Sequence, residues 1–504
     1  MVEDEIIHEI PDTRWTTSIW SEADIPQKKK PSLVQGPWEH GRMSGSRSLD
    51  KTVVDYSTIL GFQGDLDLVG NRFYWVVSIV LIAQLVWLPF SAFLILKFPP
   101  RTLLPVMLFG WGIAQACTPA AYHFGGLLAA RFMLGIFEAA CLPLFAIMTG
   151  AWYRRVEQPL RVAAWYGTNG PAMIFSAVLS YGFGKIRSPH MEPWKAMFLS
   201  TGLMTIFTVP ILYWKLEDNI QTASFFSEDE RAMAIERLRA NQAGSDSREI
   251  RWSQISEALK DVKTTLFFIM SLANSLGSQV PNTFGPLMLD RLGYDEHTTL
   301  LLNIPFGALQ YIVVLGVSWL ATKFRWKSLT LGSALVPVIT GLVILFALPQ
   351  DTTNTAVFLI GYHLLSFIFG CNTLILSWVL ANTAGQAKKS VTVCFYSAAS
   401  STGSILGPLL FKASDAPRYD LGLKITLGVY IGIFWAVIVQ VVNLVLLNRA
   451  QERRRINHEK PARLHDSSME ERYVDIIENN QYDVGNFAFA DLTDKQNDEF
   501  VYVY

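Results

Sequence analysis

The sequence predicts an all-α membrane protein of two helix bundles, with eleven transmembrane helices visible. Three observations carry this. Of 504 residues, 51% are apolar and only 17% are charged, against about a quarter charged in an ordinary soluble domain. The apolar residues fall in long blocks, each able to cross roughly 30 Å of hydrocarbon as a helix. The longest polar interruption within the apolar part, 217–263, divides those blocks into five and six.

Residues 1–48 are polar, with Lys28, Lys29 and Lys30 in a row, and read as a disordered tail. They hold no apolar core of a signal peptide. Residues 49–72 are mixed and too polar to span alone. The first bundle, 49–216, holds the blocks 73–96, 103–122, 125–151, 162–184 and 195–215. The linker, 217–263, predicts two surface helices. Ser227-Glu-Asp-Glu230 is a capping-box pattern that opens the first. Trp252, Ile255, Leu259 and Val262 recur at spacings of three and four, so the second is amphipathic. The second bundle, 264–447, holds 265–289, 299–322, 327–348, 355–380, 389–412 and 423–447, and 448–504 is a polar C-terminal tail. Membrane strands would be shorter and alternating, which excludes a barrel. Pro89, Pro143, Pro171 and Pro281 do not argue against helices in lipid, and Gly403 and Gly407 allow close helix contact.

Lys and Arg counts set the orientation. The loops after the first, third, seventh and ninth visible spans carry ten Lys/Arg, among them Arg154, Arg155, Lys388 and Lys389, against one acid, Glu157. The alternate loops carry seven Lys/Arg and seven acids. The first set, the linker and the C-terminal tail are thereby assigned to the cytoplasm. A net charge of −1 offers no basic field for nucleic acid. Cys117, Cys141, Cys371 and Cys394 lie in apolar runs and read as small packed hydrophobes. No Cys or His grouping suggests a metal, and no cofactor is expected. A metal triad, nucleophile elbow and phosphate loop are all missing from the sequence, so an enzyme is not expected.

Away from their ends, the blocks contain Arg131, Glu138 and His363 as ionisable residues. A charge at mid-bilayer costs several kcal/mol, with a disputed magnitude, and marks a functional site by default. Arg131 and Glu138 are seven apart, so they share a helix face about 10 Å apart along the axis. A desolvated carboxylate favours protonation, and a fixed cation holds an anion. Together they outline an anion site coupled to a proton. The alternative is that they only pair with each other or with neighbouring helices. His363 reads as a packing residue. Tyr166, Thr168, Asn169, Asn274, Gln279, Asn372, Ser400 and Ser404 are candidate cavity residues, each of which taken singly reads first as hydrogen-bonding between helices.

Five stretches carry a family resemblance: Leu49-Asp50-Lys51-Thr52; Ala130-Arg131-Phe132-Met133-Leu134-Gly135-Ile136-Phe137-Glu138-Ala139; Trp152-Tyr153-Arg154-Arg155 with Glu157 and Arg161; Gly403 to Pro408 with Ala413 to Tyr419; and Phe489-Ala-Asp491-Leu-Thr-Asp494 to Phe500. In this order the chain resembles fungal transporters of the major facilitator superfamily, in the anion:cation symporter group that includes allantoate permease. The resemblance implies twelve helices in two six-helix halves that rock around a midplane site. It implies proton coupling by Glu138 and Asp50, and substrate-anion binding by Arg131 and Lys51. It also implies an apolar first helix immediately before Leu49, where residues 31–48 cannot span. Three accounts of that departure stay open: an omitted exon, a decayed transporter, or a genuine eleven-helix variant. The expected function is proton-coupled uptake of a small organic anion of the allantoate, vitamin or carboxylate type. The expected location is the plasma membrane, as a monomer in the bilayer. The rivals are a non-transporting remnant or sensor, and a metabolite exporter.

Overall fold

The computed structural model describes residues 53, 57, 61–66, 68, 72–185, 191–242, 244, 247–284, 296–347, 355–411, 415, 419–464, 466–470 and 487–504. Asp50, Lys51, the tail 1–48 and any helix before Leu49 lie outside them. Every regular element among the described residues is a helix. In lipid the backbone must satisfy its own hydrogen bonds, and a helix does so within one segment.

The first half runs α1 (Arg72–Lys97), α2 (Pro100–Cys117), α3 (Phe124–Glu138), α4 (Cys141–Trp152), α5 (Gln158–Tyr166), α6 (Asn169–Gly184) and α7 (Pro193–Lys215). The linker carries α8 (Glu228–Arg239) and α9 (Trp252–Lys260). The second half runs α10 (Val262–Gly277), α11 (Glu296–Phe324), α12 (Lys327–Ala347), α13 (Thr355–Leu364), α14 (Phe367–Ala381), α15 (Gln386–Leu409) and α16 (Asp420–Asn457). Each predicted apolar block is mostly helical over its described part, with breaks at 121–122, 139–140, 167–168 and 365–366. Eight stretches are long and apolar enough to cross a membrane among the described residues, with α3–α4 and α13–α14 each forming one of them.

Local chemistry explains the breaks. Pro143 has no N–H to continue the ladder to Ala139, and the chain turns at Ala139–Ala140 between α3 and α4. Pro281 falls in a π-helical turn, Val280–Phe284, beyond the end of α10. The halves meet where α1 packs along α15 and α5 and α6 pack along α11.

The Ser227 capping box forms, with Glu230 N donating to Ser227 Oγ at 3.3 Å and Ser227 N donating to Glu230 Oε2 at 3.1 Å. The amphipathic helix α9 turns its apolar stripe away from the protein. Trp252 is 75% exposed and Leu259 55%, while Gln254 and Ala258 are buried. That orientation suits a helix lying at a bilayer surface. The last helix continues ten residues past the apolar block, to Asn457. The polar residues 487–504 pack into the end of the molecule that carries the linker, here called the linker end.

Gly403 and Gly407 serve contact within this chain. A Cβ on Gly403 would lie 2.3 Å from Leu272 O of α10, and one on Gly407 would lie 2.8 Å from Leu276 O. Gly403→Leu is therefore expected to force α10 and α15 apart at a cost of about 1–3 kcal/mol. A thermal melt followed by size-exclusion fluorescence reads this directly. A melting temperature equal to wild type would mean the two helices do not pack this closely.

Candidate functional site

Glu138 closes α3 at the middle of the apolar stretch Phe124–Trp152 and is 2% exposed. It lines a cavity of about 30 Å³ between the halves. From the first half come Leu81, Gln84 and Leu88 of α1, with Glu138, Ala139 and Leu142. From the second come Ser397, Ser400, Ser401 and Ser404, all on α15. Residues 397, 401 and 404 follow helical spacing, so α15 turns one hydroxyl-bearing face to the cavity. Ser401 Oγ donates to Gln84 Oε1 at 3.3 Å, a hydrogen bond from one half to the other. Gln84 is 5% exposed, and its Nε2 has no hydrogen-bond partner among the described residues.

The cavity has room for one or two water molecules. An organic anion does not fit it in this conformation. The arrangement is a narrow one: a buried carboxylate, an amide with spare donor capacity and four serines, lining a small cavity between two bundles.

Arg131 lies seven residues before Glu138 on the same helix and is also 2% exposed. Its guanidinium sits 4.8 Å from the centre of the Phe198 ring on α7. A cation over an aromatic face is partly compensated for its burial. The structure brings Glu138 to the cavity and leaves Arg131 outside its lining, about two turns further along α3.

The other predicted residues divide. Ser400 and Ser404 line the cavity, and Ser400 Oγ is 2.8 Å from Ser275 Oγ of α10. Asn274 and Asn372 belong to a network inside the second half. Asn274 Nδ2 donates to Asn372 Oδ1 at 3.5 Å, and Tyr396 Oη donates to the same oxygen at 2.6 Å. Gln279 Nε2 donates to Ser278 Oγ at 3.5 Å beyond α10, away from the cavity lining. Tyr166 and Asn169 flank the break between α5 and α6, and Tyr166 packs edge-on against Trp165. His363 Nδ1 lies 2.7 Å from Leu359 O one turn back, as a packing residue would.

Gln84, Ser397 and Ser401 were not singled out from the sequence. Gln84 carried a signal, as the one amide in the first apolar block.

An all-helical, multi-pass membrane protein with a polar cavity between two bundles has the build of a solute transporter. A model of the Major Facilitator Superfamily matches residues 48–408, and the chain belongs to that family. It is 29% identical over 457 residues to an uncharacterized transporter of Schizosaccharomyces pombe, covering 90% of this chain and 84% of that protein. It is 27% identical over 482 residues to the allantoate permease of Saccharomyces cerevisiae, covering 90% of this chain and 82% of that one. Its fold resembles that of the proton:xylose symporter XylE, with a TM-score of 0.64 at 12% identity, covering 81% of this chain and 94% of the other.

Proposed function

We propose that the chain is a proton-coupled symporter that takes up a small organic anion of the allantoate, vitamin or carboxylate type by alternating access, at the plasma membrane. The observation that carries this reading is Glu138, a buried carboxylate in the middle of a membrane-length apolar stretch that lines a cavity shared by both halves. Desolvation favours the protonated form of such a group, and opening to water favours release. A proton on Glu138 therefore permits the loaded halves to close, and its loss on the inner side accompanies substrate release. Arg131 neutralises the substrate carboxylate. Asp50 is the second proton carrier and Lys51 the second cation, on the resemblance of their motif alone. The similarity to allantoate permease supports an anionic substrate.

Gln84 fits the same reading. Its Nε2, without a partner among the described residues, is a donor for a substrate oxygen once the cavity widens. Yeast lacking their own anion permeases and expressing this chain are expected to take up a radiolabelled small carboxylate faster at external pH 5 than at pH 7. Protonophore treatment should abolish the difference. Uptake that is identical at both values, with surface expression verified, would remove proton coupling from the account.

A further inference from the structure

Residues 487–504 are not a solvated tail. Asp491, Asp494, Asn497, Phe500 and Tyr502 are buried, and Asp494 is 0% exposed. The Asp494 carboxylate bridges Lys263 of α10 and Lys388 of α15. Glu257 and Asp261 surround the same two cations. Beyond this knot, Val503 N donates to Asn382 Oδ1 at 2.8 Å, and Trp378 Nε1 donates to Val503 O at 2.9 Å. Lys327 N donates to Tyr504 O at 2.9 Å. All these partners belong to α9 or the second half.

The first half reaches the same segment through Arg155, in the turn between α4 and α5. Arg155 Nη1 donates to Val501 O at 2.8 Å, and its guanidinium lies 4.2 Å from the centre of the Phe500 ring. Its Nη2 donates to Asn241 O of the linker at 2.7 Å. One arginine of the first half thus grips a segment that is otherwise fastened to the second half and to the linker, where Gln242, Gly244 and Arg251 also hold it. Opening the linker end requires the halves to separate there, and Arg155 cannot follow both.

We propose that the segment 487–504 is a latch that holds the linker end shut, and that the Arg155 grip on residues 500 and 501 must release before that end opens. The latch is not a pH switch within the ordinary cytoplasmic range. Burial pushes the Asp494 carboxyl up, but Lys263 and Lys388 outweigh this and hold it below the usual carboxylate range. Its contribution is present above about pH 4 and fades only as pH falls through the lowered value. Opening therefore needs a contact that competes for the segment or for Arg155, such as an anionic group on a partner or on the segment itself.

The test needs no substrate, so it stands or falls separately from the transport reading. Spin labels on Lys97→Cys and Lys323→Cys, with the four native cysteines replaced, report the separation of the halves at the linker end in lipid nanodiscs. The labelled wild type is expected to show mainly the short distance. Arg155→Gln leaves the anchorage on the second half intact and is expected to raise the long-distance population at least about threefold. Asp494→Asn is expected to do the same and to speed amide exchange at Tyr502 and Val503. If Arg155→Gln keeps the wild-type distance distribution, the segment is structural packing and the latch is overturned. Should Asp494→Asn fail to fold, Arg155→Gln decides alone.

Discussion

Glu138→Gln is expected to abolish accumulation against a gradient while preserving exchange of substrate across the membrane. Glutamine keeps the size and the hydrogen-bonding capacity of a protonated glutamate but cannot release a proton. The buried position of Glu138 is therefore filled by a neutral group, and on this reading the halves can close. What is lost is the link between closure and the proton gradient. One proton per transfer across a gradient of one pH unit is worth about 1.4 kcal/mol, or tenfold accumulation. A proton carried with a monoanion moves no net charge, so membrane potential adds nothing for such a substrate. The variant should bring the accumulation ratio from about ten to about one. Counterflow of labelled against unlabelled substrate should persist within a few-fold of wild type. Accumulation retained by Glu138→Gln would transfer the proton role to another residue.

Arg131→Ala carries the second large effect. Removing the cation leaves the substrate carboxylate without a partner in a desolvated site, at a cost of about 2–5 kcal/mol. The KM for uptake is expected to rise by thirtyfold or more, beyond practical measurement at the upper end. The same change removes the packing of the guanidinium over Phe198, so a thermal melt must accompany it. Arg131→Lys retains the charge and should recover part of the affinity, because an ammonium still neutralises the anion but lacks the planar fork. An alanine variant with wild-type KM would place the anion elsewhere.

The parts of the fold that lipid dictates were legible in the sequence. A span needs about 20 apolar residues whatever its neighbours are, so the blocks stood out one by one. Arg131 and Glu138 stood out for the converse reason, as ionisable residues away from the ends of such a block. The cavity was less legible. Ser400 and Ser404 line it, whereas Asn274 and Asn372 are spent on each other and on Tyr396. An amide in an apolar helix reads the same way in either case, because its partner sits on another helix far along the chain. The role of Phe489 to Phe500 was hidden for the same reason. Its motif was visible, but Arg155 and Val501 are 346 residues apart. No local pattern announces that a polar stretch so distant will be buried against them.

The central claim is that transport is driven by protons. Purified protein in liposomes, with an inward proton gradient and a radiolabelled small carboxylate, tests it most directly. The account predicts accumulation above the external concentration, collapse when the gradient is dissipated, and substrate-dependent acidification of the lumen. Uptake that stops at the external concentration, with or without the gradient and without proton movement, would contradict it.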